Sequence, residues 1–219
     1  MRLTIDPELK RRCPALRVAC VQGSVQVSKS ADALLELMNA RAAQLSGSTA
    51  SADIAANHEV AATRQAYKAL GKDPSRYRGS AEALLRRLAS GKGLYFINNL
   101  VDINNLVSLG SFLPVGSYDL AKVGDEIVFR IGREEESYKG IGKDVINIAD
   151  LPVFADSNGA FGSPSSDSER AMIRETTTRF AMMIISFSGK SDLSAWAARA
   201  IELVGSHASG SELAVEIVG

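Results

Sequence analysis

Between Arg179 and Phe187 the chain reads RFAMMIISF, with one charge at its start and no polar residue until Ser186. So apolar a run cannot lie on a wetted surface, and it is far shorter than the roughly 20 residues needed to cross a bilayer as a helix. It is rich in the residue types that fit a pleated sheet, so it is expected to be a central strand. That one element requires a sheet with neighbours on both edges and layers to cover it.

Other short β-type runs gather in the same half of the chain. EIVFRI (126–131), DVINI (144–148), PVFA (152–155) and a closing strand over 213–218 are separated by Gly- and Asp-containing turns, with Ser157-Asn158-Gly159 as a hairpin turn. Before Gly110 the pattern is mostly helical. Arg2–Ile5 is a short strand, and Asp6-Pro7-Glu8 opens a helix with a side-chain cap and proline at the first helical position. A strand over 16–27 is expected to turn or bulge at Gly23. Helices follow over 31–45 behind Ser30, over 54–70 up to Gly71, and over SAEALLRRLAS from Ser80. Ser191–Val204, carrying Trp196, is a last amphipathic helix. Helices first and strands later, without regular alternation, argue for an α+β fold with a helical N-terminal part packed on a β-rich C-terminal half. No linker divides residues 1–219, which are read as a single domain.

Composition narrows the function classes. The 219 residues are 46% apolar and 23% charged, and cations equal acids, so net charge provides no general attraction to polyanions. The distribution is uneven. Residues 64–92 hold eight cations against Asp73 and Glu82, whereas 119–156 hold nine acids against five cations. The first stretch reads either as a solvated helix face or as a basic patch for a polyanion, with Arg76, Arg78, Arg86, Arg87 and Lys92 as candidate nucleic-acid contacts. Cys13 and Cys20 fit no zinc or redox spacing and read as buried thiols of a reducing compartment. MRLTIDPELKRR is no signal peptide, so a soluble cytoplasmic protein without membrane contact is expected. GxSxG, Walker A, HExxH and GxGxxG are all absent from the sequence, and His58 and His207 lack ligand neighbours at helical spacing. No metal or cofactor is called for. The acidic run Glu134-Glu135-Glu136 reads as a solvated hairpin tip.

Two polar stretches remain. INNLVDINNLVSLGSFLPVGSYD (97–119) repeats Ile-Asn-Asn-Leu-Val on either side of Asp102. As a helix over 97–109 it places Asn98, Asp102 and Asn105 together. Asparagine is a poor helix former, so these residues either bond neighbouring loops or line a pocket. Gly110, Pro114 and Gly116 are expected to shape a tight loop behind it. GSPSSDSE (162–169) is a nonperiodic loop of small donors, read either as a nest for an anion or ester or as ordinary exposed loop.

Together these stretches resemble the tRNA-editing (tRNA-binding) domain of the phenylalanyl-tRNA synthetase β subunit. That family carries a helix VDxTNYVxxxLG, then QPLHAFD, then strands ending in a V-I-A-D turn and a small-residue loop. Here the corresponding residues are Val101-Asp102-Ile103-Asn104-Asn105-Leu106-Val107, Leu109-Gly110, Leu113-Pro114, Ser117-Tyr118-Asp119-Leu120 and Val153-Phe154-Ala155-Asp156, a match over about 75–190. The resemblance implies a layered sheet/sandwich and a stand-alone domain without an aminoacylation site. It also implies a pocket that hydrolyses tyrosine wrongly esterified to tRNA(Phe), for which a polar partner to the substrate hydroxyl is needed. Two positions depart from the family. Gly116 stands where it has a pocket histidine, and its pocket glutamate falls in the 160–169 loop, where Asp167 or Glu169 stands.

On this reading the charged 3′ end of a tRNA is the partner. Asp167 and Glu169 are the catalytic candidates, orienting water or the α-amino group. Asn104, Asn105, Pro114, Gly116, Ser117, Gly162, Ser163, Ser165 and Ser166 are the substrate-binding candidates. Leu113–Ser117 and Gly162–Glu169 are expected to face each other across a concave pocket. The rival is a non-catalytic module for RNA or an amino-acid-like ligand; a third reading is a domain for protein contacts.

Overall fold

The computed structural model describes residues 1–48 and 51–219. In chain order its elements are β1 (Arg2–Ile5), α1 (Pro7–Arg12), β2 (Arg17–Ser24), α2 (Asp32–Ser48), α3 (Ser51–Ala56), α4 (His58–Ala69), α5 (Ser80–Ala89), α6 (Asn99–Ser111), β3 (Val115–Asp119), β4 (Glu126–Ile131), β5 (Ser137–Lys139), β6 (Val145–Asn147), β7 (Pro152–Asp156), β8 (Gly159–Gly162), β9 (Arg179–Ser186), α7 (Leu193–His207) and β10 (Ser211–Val218). The fold is α+β, as the pattern of helices then strands indicated.

Two four-stranded sheets carry it. One runs β1-β4-β7-β8 and the other β10-β2-β9-β3, with β5-β6 as a separate hairpin. β9 sits inside the second sheet, antiparallel to both β2 and β3. Its alternate residues are buried on opposite sides. Ala181, Met183 and Ile185 join Val18, Cys20 and Tyr118 against Leu3, Ile127, Phe129, Phe154 and Phe161 of the first sheet. Phe180, Met182 and Ile184 join Ala19, Val21 and Val115 against α2, α6 and α7. The result is sheet on sheet on helices, and the period of two along β9 explains why neither of its faces is polar.

The N-terminal segment does more than supply helices. β1 pairs in parallel with β4, and β2 occupies an interior place between β10 and β9, so both sheets need strands from the start of the chain. Asp6 caps α1 by accepting from the Glu8 and Leu9 amides. β2 runs straight through Gly23; the irregularity lies opposite, in β10 between Ser211 and Ala214. A Cβ on Gly23 would lie 2.7 Å from Leu213 and 2.8 Å from the Ser211 carbonyl, so this glycine admits the partner's bulge. The expected helix over 54–70 is two helices, because Asn57 is extended and caps α4 through the Glu59 and Val60 amides. Ser30 donates to Asp102 at 2.6 Å and so ties α2's entry to α6. His207 closes α7, not a loose tail, and Glu136 is gripped at 2.7 and 2.8 Å by Arg130, not left solvated.

Gly110 belongs to α6, which continues to Ser111 before Phe112 takes the left-handed conformation at φ 61°. Its reason for being glycine is contact: a Cβ there would stand 2.8 Å from two ring carbons of Trp196 on α7. Alanine is the better helix former, yet Gly110→Ala is expected to destabilise by about 1–3 kcal/mol through overpacking. Urea unfolding measures this, and pairing it with Trp196→Phe should recover part of the loss.

Candidate functional site

α6 explains the asparagines. Asn98 caps the helix through the Val101 amide at 2.9 Å. Asn99 donates to the Gln26 and His207 carbonyls and accepts from the Ser28 amide, joining the strand exit, α7 and α6. Asp102, fully buried, accepts from Ser30 and from the Ile97 amide; burial pushes its carboxyl up while those two bonds hold it down. Asn104 donates to the Val115 carbonyl and accepts from Ser117 at 2.9 Å, and it also donates to Asn105 at 3.5 Å. The polar positions are therefore paired with neighbouring backbone and hydroxyls, as buried polar groups must be.

The second stretch, 163–168, is bonded as densely. Ser163 donates to the Ser166 carbonyl and accepts from the Ser165 and Ser166 amides. Tyr67 meets the Ser165 hydroxyl at 2.6 Å, Tyr138 donates to the Ser166 carbonyl at 2.6 Å, and Lys143 donates to the Ser166 hydroxyl at 2.7 Å. At the centre Asp167 Oδ1 accepts from the Tyr118 hydroxyl at 2.7 Å and from the Ser163 amide at 3.3 Å. Burial pushes the Asp167 carboxyl up to about 6 against those two bonds, which pull the other way. Burial and the nearby Asp167 charge likewise raise the phenols of Tyr118 and Tyr138. One carboxylate thus sits inside a ring of un-ionised tyrosines.

The two loops do adjoin, with Ser80 and Tyr118 lying between them. Ser80 at the start of α5 bridges them: its amide donates to the Pro164 carbonyl at 2.7 Å, and its hydroxyl accepts from the Val115 amide at 3.2 Å. The remaining space is filled by Tyr118. A Cβ on Gly116 would lie 2.6 Å from its hydroxyl, and one on Gly162 would lie 2.3 Å from it. Gly116 is therefore a strand residue whose missing side chain makes room for a phenol, not part of a tight turn. The ring packs edge-on to Phe161 at 4.9 Å.

Strand geometry also divides the expected substrate contacts. Along β3, Val115 packs with the helix layer and Ser117 bonds Asn104, while Tyr118 and the open side of Gly116 face the other sheet. Asn104, Asn105 and Ser117 are thus brought together on the helix side, and Gly116, Gly162, Ser163 and Asp167 on the other. Pro114 lies at the turn between, 3.3 Å from where a Cβ of Gly79 would stand. Glu169 is apart from both groups, paired with Lys139 at 3.1 Å. Tyr67, Tyr118, Tyr138 and Ser80 were not among the expected site residues. The available signal was Tyr118 at the phenylalanine position of the PLHAFD-like stretch.

Of the candidate nucleic-acid contacts, Arg76, Arg78 and Lys92 are exposed. Arg86 instead joins Arg64 on Glu82, a carboxylate 2% exposed. Arg87 donates to the Gly93 carbonyl and lies over the Tyr95 ring. The basic patch is smaller than the residue count implied.

A groove of about 640 Å³ lies elsewhere, on β1, β4 and β7, where Arg2, Thr4, Asp125, Glu126, Val128 and Asp156 line it. Asp156 is committed to Arg170 at 3.0 Å and to the Gly124 amide. Among the described residues no helix is long and apolar enough to cross a membrane.

Two packed sheets with a helical layer, and a polar helix leading into a glycine-bearing edge strand, define a class. The family model of the B3/4 domain matches residues 62–204. The chain belongs to the B3/4 domain family and is a phenylalanyl-tRNA synthetase β-subunit-like domain, in agreement with the motifs of α6 and of Val153–Asp156 in β7. A crystal structure of an N-terminal fragment of the phenylalanyl-tRNA synthetase β-subunit from Pyrococcus horikoshii is similar at 13% identity and a TM-score of 0.46, over 100% of this chain and 51% of that one. This chain thus spans about half the length of that fragment. No curated protein matches it.

The Asp167 site makes a pH prediction. Unfolded, this carboxyl titrates near its ordinary 3.8; folded, near 6. In that interval the native state holds the proton more tightly, so its contribution to stability is greatest below the unfolded value and is lost as pH rises through 6. Asp167→Asn keeps an acceptor for Tyr118 and removes the half-buried charge. Its melting temperature is expected to exceed the wild type's by a few degrees at pH 8 and to converge with it toward pH 4. Asp167→Ala, which strands the Tyr118 hydroxyl, should cost about 1–3 kcal/mol at low pH and less at pH 8, where it also removes the ionised carboxylate.

Proposed function

We propose that this chain binds the charged 3′ end of a tRNA and hydrolyses a wrongly attached amino acid, as an aminoacyl-tRNA editing domain. The observation that carries the reading is membership of the B3/4 family over 62–204. Within that frame Asp167 is the group suited to chemistry. A carboxyl raised to about 6 takes a proton from water near neutral pH more readily than an ordinary aspartate does. It would deliver the water to the ester carbonyl, releasing the free amino acid and the tRNA 3′ hydroxyl. Orientation by the fixed loop contributes further, since positioning alone supplies a large part of such accelerations. Access requires Tyr118 and the 163–168 loop to yield, with Ser163, Ser165 and Ser166 exchanging internal partners for the substrate. Glu169, paired with Lys139 at the surface, is assigned the weaker role of contacting the α-amino group.

One observation favours a second reading. Tyr118 fills the space between Gly116 and Gly162, and the family's pocket histidine is replaced by Gly116. A domain with its pocket filled from within would bind tRNA without hydrolysing it.

Deacylation of a panel of correctly and wrongly charged tRNAs, alongside binding to the same tRNAs, separates the two. The editing reading expects hydrolysis of at least one mischarged tRNA, reduced on the order of a hundredfold in Asp167→Asn while the fold is kept. Binding without hydrolysis on every tRNA establishes the second reading, and failure to bind any tRNA overturns both.

A further inference from the structure

The segment between α5 and α6 exposes three consecutive large apolar side chains: Tyr95 at 48%, Phe96 at 44% and Ile97 at 59%. Its backbone is nevertheless anchored at both ends. Arg87 donates to the Gly93 carbonyl at 2.8 Å, Leu94 packs against the core, and the Ile97 amide donates to buried Asp102 at 3.0 Å. A segment held this firmly, with its side chains in water, presents a preformed surface.

Cations lie beside the rings, and the nearest exposed acids on the Lys29 side are Asp32 and Glu36 of α2. The Arg87 guanidinium lies 5.0 Å from the Tyr95 ring centre, and Lys92 is exposed in the same segment. Exposed Lys29 sits between Ser28 and Ser30, whose bonds to Asn99 and Asp102 bring it beside the start of α6. Between Glu82 and Asp102 the chain carries no acid, and those two carboxylates are themselves 2% and 0% exposed. Apolar rings flanked by cations suit a ligand with flat π-faces and a polyanionic backbone. A protein partner would be met equally well without the cations.

We propose that Tyr95 and Phe96, flanked by Arg87, Lys92 and Lys29, form a stacking platform for single-stranded RNA. Base stacking on such rings is tolerant of sequence, and each phosphate neutralised adds salt dependence. The platform deepens the tRNA-binding reading and rests on it for the source of the strand, the unpaired 3′ end.

The test measures binding of a labelled twelve-nucleotide single-stranded RNA, the matching duplex and whole tRNA to wild type, Tyr95→Ala/Phe96→Ala and Val145→Ala. Val145, an apolar residue on β6 exposed to 71%, serves as the control. The double variant is expected to bind the single strand about tenfold or more weakly with an unchanged melting temperature, and Val145→Ala to match wild type. The single strand should bind more tightly than the duplex, and a log–log salt plot should fall with a slope of about −2 for three cations. Unchanged single-strand affinity in the double variant, equal affinity for duplex, or no single-strand binding by wild type overturns the platform. So does a change in oligomeric mass without a change in RNA affinity, which would mark a protein interface. Wild-type tRNA binding untouched by the double variant removes the platform and leaves the tRNA reading standing. Single-strand binding lost in the double variant, with no tRNA binding by wild type, does the reverse.

Discussion

The hydrogen bond from Tyr118 to Asp167 joins the two sheets at the point where each has an edge. Tyr118 belongs to β3 of one sheet, and Asp167 follows β8 of the other. A carboxylate in such a place is expensive to desolvate, and the rise of its pKa to about 6 is the measure of that expense. The phenol and the Ser163 amide offset part of it. The rest is offset by packing, since the same ring meets Phe154 and Phe161 and requires glycine at both 116 and 162. Removing the bond while keeping the ring would leave a buried acceptor poorly satisfied. Losing the ring would leave a cavity between two glycines.

The same logic governs the helix side of the second sheet. β2 and β9 bury both faces, so the helices above them must fit closely and hold a fixed rotation. Asn99, Asp102 and Asn104 provide that orientation by bonding α7, the entry to α2 and β3, respectively. Each bond is worth only about 0.5–1.5 kcal/mol net, but a misrotated α6 would bury the same groups unpaired.

Local chemistry was legible in the sequence where it depended on near neighbours. β9 is recognisable from its unbroken apolar run, α1 from Asp6-Pro7, and the β7–β8 hairpin from Asn158-Gly159. Features set by distant residues were not. Gly110 and Gly116 look like turn glycines until Trp196 and Tyr118 are seen against them. Asn57 splits a continuous helical pattern because its side chain is used as a cap. Glu82 looks like a minor acid in a basic stretch, yet it draws Arg64 and Arg86 away from the surface. Asp167 and Glu169 were both legible as candidate carboxylates of the loop, but the pairing of Asp167 with Tyr118 was not, because 49 positions separate them. The family resemblance was carried by residues 101–110, 113–114, 117–120 and 153–156.

The editing reading rests on one premise: Asp167 lies against Tyr118 in a poorly solvated site and titrates well above an ordinary aspartate. NMR titration of the Asp167 carboxyl carbon in wild type and in Tyr118→Phe tests it directly. A wild-type midpoint near 6, moving higher when the phenolic donor is removed, is the result this account predicts. A midpoint near the ordinary 3.8, unmoved by Tyr118→Phe, would mean a solvated carboxyl and would contradict it.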